Sequence, residues 1–546
     1  MTNAGNNGTR SYDAVIVGAG FGGMYMLHHL RQRGISARVI EAADGVGGTW
    51  YWNRYPGARC DVESINYSFS FSPELEQEWR WSEKYSPQPE VLAYANHVAD
   101  RFDLRKDIEF STRVDGAVWD DAVGRWTLTT SNGDTISCQH YIMATGCLSH
   151  SKMPEVPGVE SFEGKTYHTG HWPHEGVDFT GLRVGVIGTG SSAIQSIPLI
   201  AQQASHLTVF QRTPNFSMPA GNRQLSDDEV DAVKAVYPEH RAAARISGFG
   251  VPIEEPTMSA LEATPEERDE RFQEGWDQGN LVALLLAFND IITNKEANDT
   301  AAEFIRNKIR SIVKDPQIAE DLCPFDHPVG TKRPCLDTGY YETYNRDNVT
   351  LVNLKRSPIE CITSTGISTT DGQYEFDAIV FATGFDAMTG ALVAVDITGR
   401  DGVTLKQKWD AGTRTYLGVA VAGFPNFYTI TGPQSPSVFS NMMVSIEQHV
   451  DWIGDLIVHM RENDIAVMEA TQDAEDFWTQ HNTEVGDGTL YPLANSWYMG
   501  SNVPGKPRVL MPYIGGVGVY RGECDEIAQD GYRGFSRRGA QQLTSA

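Results

Sequence analysis

A β-rich run that leads straight into a glycine turn and then a helical pattern occurs twice in the chain. That repeat, together with two Ala-Thr-Gly strand ends, predicts an α/β fold with two Rossmann-like dinucleotide-binding units. The first copy occupies residues 12–17 (YDAVIV) and 18–23 (GAGFGG), with a helical pattern through Leu30. The second occupies 184–187 (VGVI) and 188–193 (GTGSSA), with helix continuing to about Gln203. A lone GxGxxG is a weak signal, but here each turn lies between a strand and a helix. Residues 141–146 (YIMATG) and 379–384 (IVFATG) each read as a buried strand closing on Ala-Thr-Gly.

In each turn the first glycine permits the sharp reversal and the second lets the backbone approach a pyrophosphate. The third position must be small so that helix and strand pack closely. Gly18, Gly20 and Gly23 fill these roles in the first copy. Phosphate then sits at the helix N-terminus, where free N–H groups and the helix dipole favour negative charge. An acid near the end of the second strand hydrogen-bonds a ribose hydroxyl. Eighteen residues past Gly23 stands Glu41, which suits an adenosine with free ribose hydroxyls. The same count from Ala193 reaches Gln211, followed by Arg212. An acid there would repel a 2′-phosphate, whereas an arginine binds it through charge-assisted hydrogen bonds worth roughly 1.5–3 kcal/mol each. The first site therefore reads as FAD and the second as NADP. The competing reading of Arg212 is a solvated surface residue.

The order of the four features looks like that of flavoproteins whose nicotinamide domain is inserted within the flavin domain. The expected division is 1–149 and 385–546 for the FAD domain, 150–223 and 331–384 for the NADP domain, and 224–330 for a helical insertion. In that insertion, Ser226 with Glu229 and Thr264 with Glu267 form capping-box starts, the latter with Pro265 at the first helical position. Helical patterns follow, including residues 301–313, and a further helix is expected from about Ser440 to Met460.

A chain of 546 residues is too long for one core. Its 44 Lys plus Arg against 71 Asp plus Glu give a formal charge of -27, which disfavours nucleic acid and anionic membranes as partners. No apolar run approaches the ~20 residues of a membrane span. The opening MTNAGNNGTRSYD lacks the apolar core of a signal peptide, so a cytoplasmic location is expected. The seven cysteines form no CxxC or CxxxxC pair, which argues against a disulfide framework, a zinc ribbon and a redox dithiol; no metal is expected.

Two further segments are more specific. Residues 45–61 read GVGGTWYWNRYPGARCD, matching GxWxxxxYPGxxxD; residues 162–173 read FEGKTYHTGHWP, matching FxGxxxHxxxW followed by Pro. An aromatic-rich loop is by default core packing. With the two glycine turns, however, these segments resemble the fingerprints of the type I Baeyer–Villiger monooxygenases, nearest in appearance to phenylacetone and steroid monooxygenases. The likeness spans nearly the whole chain, down to residues 496–508 (SWYMGSNVPGKPR). Trp172-Pro173 separates it from the N- and S-oxidising flavin monooxygenases, where Tyr or Phe stands at that place, and moves the reading toward ketones. His168 is read as a structural linker.

The resemblance implies that NADPH reduces FAD, that reduced FAD and O2 give a C4a-peroxyflavin, and that this attacks a ketone to give an ester or lactone, with sulfoxidation as a side activity. It assigns Arg333 as the catalytic cation, Asp61 as the carboxylate holding it and Lys332 as a 2′-phosphate contact. By itself Lys332-Arg333 reads as a surface pair; on extended backbone the two would point to opposite faces. Flavin contacts would include Gly22, Glu41, Thr49, Trp50, Trp52, Asp61, Val62, Tyr67 and Met442. NADP contacts would include Thr189, Gly190, Ser191, Ser192, Arg212, Thr213, Lys332, Arg333 and Trp497, with Arg59 near the junction. Ser437, Val438 and Phe439 align with a loop lining the substrate pocket. The partners would be a small ketone and O2, the chain a monomer or weak homo-oligomer. The alternatives are an N-hydroxylating or S-oxidising flavin monooxygenase, a disulfide reductase (which needs the missing dithiol) and a non-enzymatic redox sensor.

Overall fold

The computed structural model describes residues 10–543; the N-terminal stretch read for a targeting signal lies largely outside them. Two sheets organise the chain, as the repeated motif predicts. The first has the strand order Asp396–Thr398, Val114–Asp120, Arg125–Thr130, Thr135–Met143, Arg10–Val17, Ala37–Ile40, Ile108–Glu109. Its inner strands run parallel, with Val15 opposite Tyr141 and Arg38. Phe427–Thr429 joins the end of Thr135–Met143, so the chain returns to this sheet after a long excursion. The second sheet is wholly parallel, in the order Val349–Asn353, His206–Gln211, Arg183–Ile187, Ala378–Phe381, Lys165–His168. Such a sheet is covered on both faces, and its strands read as near-continuous apolar runs. Arg183–Ile187 accordingly buries four of its five residues.

Both glycine turns open helices: Phe21–Gln32 and Ser191–Gln203. The two Ala-Thr-Gly strand ends explain the glycines. Gly18 has φ +103°, and a Cβ on it would stand 2.7 Å from the carbonyl oxygen of Ala144; Gly188 has φ +116° and would meet that of Ala382 at 2.4 Å. The same strand-end carbonyl thus presses on the same turn in both units, and only glycine fits.

Between the sheets' strands lies the helical insertion, with helices Asp227–Ala235, Tyr237–Ile246, Pro265–Gln278, Leu281–Leu285, Lys295–Ile312 and Pro316–Leu322. Ser226 and Thr264 both close the expected capping boxes with Glu229 and Glu267. The longest helix, Met442–Glu462, packs its apolar side on Phe21–Gln32 within the first core. Among the described residues no helix is long and apolar enough to cross a membrane. The antiparallel strands Val114–Asp120 and Arg125–Thr130, which extend the first sheet, and the separate antiparallel sheet Ile359–Ile362, Gly366–Thr369, Gly372–Glu375 were not anticipated.

A methyl group at position 188 has to displace backbone, so Gly188→Ala is expected to cost about 1–3 kcal/mol and to lower the thermal unfolding midpoint by several degrees. An unchanged midpoint would show that the turn relaxes freely.

Candidate functional site

The first helix terminus fits a dinucleotide. Gly20, its N-cap, offers no side chain, and the first turn of Phe21–Gln32 carries no acid, so no side chain caps the terminal N–H groups. Gly48 faces Gly20 so closely that a Cβ on it would lie 3.0 Å from the Gly20 Cα, giving a cradle floored by backbone alone. Glu41 sits at the end of the neighbouring strand, buried, accepting from the N–H of Ala19 at 2.5 Å and of Ala43 at 2.7 Å. Burial pushes its carboxyl above the usual range, and those backbone donors oppose the shift. Thr49, Trp50 and Trp52 lie on the short helix Thr49–Trp52 beside this cradle, and the indole of Trp50 donates to the Tyr67 hydroxyl at 3.1 Å.

The second terminus has the same uncapped form. No atom lies within 4 Å of where a Cβ on Gly190 would stand, and Ser191–Gln203 has no acid in its first turn. Thr189 donates to the carbonyl of Thr213 at 2.9 Å, while Ser191 and Ser192 turn to Cys335 and Thr169. Arg212 is exposed, and neither it nor Lys332 makes an ion pair among the described residues. The two cations are close enough that Arg212 depresses the Lys332 ammonium, after burial, which is the larger cause; Asp326 opposes both. Two adjacent cations without a bound carboxylate suit a dianionic phosphate. Gln211, one residue earlier, is buried and donates to the carbonyl of Asp321 at 2.6 Å.

Lys332 lies in a bend ahead of the strand Cys335–Asp337 and not on extended backbone; it feels Asp326 and Arg212, whereas Arg333 reaches Asp61. Arg333 donates from Nε to Asp61 at 2.7 Å and from a terminal nitrogen at 3.0 Å, a two-pronged fork. Its other terminal nitrogen donates to the Val438 carbonyl at 2.8 Å. Burial alone would lower the guanidinium's pKa, but the Asp61 carboxylate raises it well above its ordinary value. This fork stands in the wall of a cavity of ≈180 Å³ whose other walls include Val62, Phe249, Val282, Phe439 and Tyr498. Its lining comes from residues 61–66 and 85, 240–253, 280–285, 330–334, 438–441, 491 and 498, so it joins segments far apart in the chain.

Of the loop expected to line a pocket, Val438 and Phe439 do so, whereas the hydroxyl of Ser437 turns into the core toward the Thr431 carbonyl at 3.3 Å. Met442 begins the helix Met442–Glu462, and Trp497 packs on Tyr498 with ring centroids 4.1 Å apart. Arg59 is paired with Glu83 and the carbonyl of Tyr85, and its own carbonyl accepts from Gln195 at 3.1 Å. The first fingerprint is thus a joint between the units: Tyr55 donates to Gln195 on Ser191–Gln203 at 2.9 Å, and Trp52 stands edge-on to His171 of the second fingerprint. His168 has both ring nitrogens engaged, accepting from the Gly170 N–H at 3.0 Å and meeting the carbonyl of Lys152 at 3.2 Å. Trp172 is buried against Tyr167 and Phe179, away from the cavity. Sequence reading missed Asn66, His240 and Asn441 in the cavity wall, since no motif covers residues so far apart.

Residues 15–241 match the family model of pyridine nucleotide-disulphide oxidoreductases. All seven cysteines are unpaired here, so the likeness lies in the nucleotide-binding framework. The fold and site thus define a two-nucleotide oxidoreductase. A Baeyer-Villiger monooxygenase of Pseudooceanicola batsensis is 43% identical over 529 residues, covering 96% of each chain. A phenazine N-monooxygenase of Lysobacter antibioticus is 43% identical over 533 residues, 97% of this chain and 98% of that one. A solved structure of oxidized steroid monooxygenase bound to NADP superposes with TM-score 0.93 at 53% identity, covering 97% of this chain and all of its own. The chain belongs to the Baeyer–Villiger monooxygenase family.

If Arg212 holds a 2′-phosphate, Arg212→Ala should raise the KM for NADPH about 10-fold or more while leaving that for NADH nearly unchanged. Steady-state kinetics with both coenzymes check this, and equal effects would remove the assignment.

Proposed function

We propose that the chain is an FAD-containing monooxygenase that uses NADPH and O2 to convert small ketones to esters or lactones. The observation that carries this reading is the Arg333–Asp61 fork in the wall of a mainly apolar cavity. FAD is held by the Gly18–Gly23 turn, Glu41 and residues 49–67, and NADP by the Gly188–Ala193 turn, Arg212 and Lys332. Bound FAD, once reduced by NADPH, supplies activated oxygen from O2.

The chain's own residues then decide what that oxygen does. A guanidinium cannot lose its proton at working pH, so the charge at Arg333 is permanent. Three of its five N–H groups are committed to Asp61 and Val438, which leaves two for the neighbouring Tyr498 hydroxyl and a bound group. Fixed donors in a dry site stabilise developing negative charge without reorganisation. They favour an anionic, nucleophilic oxygen donor, which attacks a carbonyl carbon; an amine or sulfide needs an electrophilic one. Arg333 can also polarise the substrate oxygen as negative charge gathers there. Val62, Phe249, Val282 and Phe439 keep water from that charge. Asp61 fixes the plane of the guanidinium, since a lone mobile cation would address the reacting atoms only part of the time.

Arg333→Ala is expected to retain reduction of the flavin by NADPH and to lower ester or lactone formation by at least about 100-fold. Product mass, with a gain of one oxygen atom, and anaerobic absorbance changes check the two halves. Normal product yield from the variant would overturn the role of Arg333.

A further inference from the structure

The loop that supplies the Val438 carbonyl to Arg333 holds its backbone in unfavourable conformations. Thr431, Gln434 and Ser437 have positive φ, at 55°, 66° and 38°, and so does Leu417 in the turn facing them, at 61°. None is glycine, and for a β-branched residue such as Thr431 this region is a true outlier. The two turns touch: a Cβ on Gly418 would stand 2.6 Å from both the backbone nitrogen and the Cβ of Ser435. Just before the loop, a Cβ on Gly22 of the first glycine turn would lie 3.2 Å from the Ile430 side chain. At its other end the Val438 carbonyl accepts from Arg333 at 2.8 Å. Strained backbone persists only where its surroundings over-determine it. The contacts that hold this loop therefore bear on where the guanidinium sits.

A buried chain of hydrogen bonds holds it. The Thr431 N–H donates to Nδ1 of His449, on the helix Met442–Glu462, at 2.8 Å. The other ring nitrogen meets the Tyr520 hydroxyl, on the helix Val517–Gln529, at 2.8 Å. That hydroxyl donates to the Leu417 carbonyl at 2.5 Å. The direction of every bond is fixed. A backbone N–H can only donate, so Nδ1 accepts; a carbonyl can only accept, so the Tyr520 proton goes to Leu417. Nε2 then carries the imidazole proton and donates it to the Tyr520 oxygen. His449 and Tyr520 are both buried, and neither lines the cavity. Burial, and secondly Arg521, hold the imidazole far below its ordinary pKa, at about 3, so Nδ1 stays free to accept. From Thr431 the chain continues, because its carbonyl accepts from the hydroxyl of Ser437, the neighbour of Val438, at 3.3 Å.

We propose that His449, backed by Tyr520, is a positioning residue for oxygenation: it fixes the loop 431–439 and, through the Val438 carbonyl, the third anchor of the Arg333 guanidinium. Asp61 alone holds one edge of that group, and a bond to a second, independent element stops it rocking about that edge. This rests on the ketone-oxygenation reading above.

The test compares His449→Leu, His449→Asn and Tyr520→Phe with wild type in ester formed per NADPH at saturating ketone, with hydrogen peroxide as the remainder. His449→Leu should lower the yield by about 5-fold with a matching rise in peroxide, and Tyr520→Phe should lower it by less. His449→Asn, whose Oδ1 replaces Nδ1 as acceptor, should recover most of the yield. Anaerobic reduction of the flavin by NADPH should stay at the wild-type rate in all three. Ile457→Ala, which empties a buried position further along the same helix, is the control for stability alone: a lower thermal midpoint with the wild-type yield. Tyr520→Phe removes a single oxygen atom and carries the comparison if His449→Leu fails to fold. A wild-type yield in flavin-loaded Tyr520→Phe, or a yield that falls as far in Ile457→Ala as in the other variants, would overturn the positioning role and leave ketone oxygenation in place. No ester from the wild type with any ketone would overturn the oxygenation reading and this one with it.

Discussion

The bidentate contact between Arg333 and Asp61 is the constraint on which the site depends. A guanidinium in an apolar wall is stable only when a carboxylate meets it with good geometry, and a carboxylate so placed needs the cation in return. The two residues are 272 positions apart, one on the first unit's fingerprint and one after the helical insertion. Their meeting therefore requires both units and the insertion to be docked correctly. The same contact that places the charge also reports that the domains are in register.

That docking has its own physical basis. Residues 45–61 cross from the first unit to the helix Ser191–Gln203, with Tyr55 and the Arg59 carbonyl both on Gln195. The second fingerprint fixes the other side, where the His168 ring also lies 3.3 Å from Thr383 in the second Ala-Thr-Gly turn. Tyr51, Trp52 and Tyr55 of the first fingerprint thus act as joints, to His174, His171 and Gln195, whereas Trp50, Phe162, Tyr167 and Trp172 pack within their own surroundings.

Much of this was legible in the sequence where backbone geometry dictates residue type. Gly18 and Gly188 are forced by the carbonyls of Ala144 and Ala382, so the turns and the strand ends carry a mutual signature. The positions of Glu41 and Arg212, each directly after its second strand, are readable because the βα unit has a fixed length. Trp172 marked the family although it is buried in the second core, away from the cavity. What remained hidden was assembled by tertiary packing. The Asn66–His240 contact spans 174 residues and crosses from the first unit into the insertion, and no local pattern announces it. Ser437, placed with Val438 and Phe439 by alignment, has a φ of 38° and turns its hydroxyl inward to the Thr431 carbonyl. The strand Val114–Asp120 alternates buried and exposed residues only in part, a weak pattern beside the strong runs of the parallel sheet.

A held charge, rather than a charge alone, is the central claim, and coupling measures it most directly. The quantity is ester formed per NADPH consumed, with hydrogen peroxide as the remainder, compared for wild type and Asp61→Asn at saturating ketone. If the carboxylate fixes the guanidinium at the reacting atoms, Asp61→Asn consumes NADPH with a several-fold lower yield of ester and a matching rise in peroxide. An unchanged yield of ester in a folded, flavin-loaded Asp61→Asn protein would contradict it.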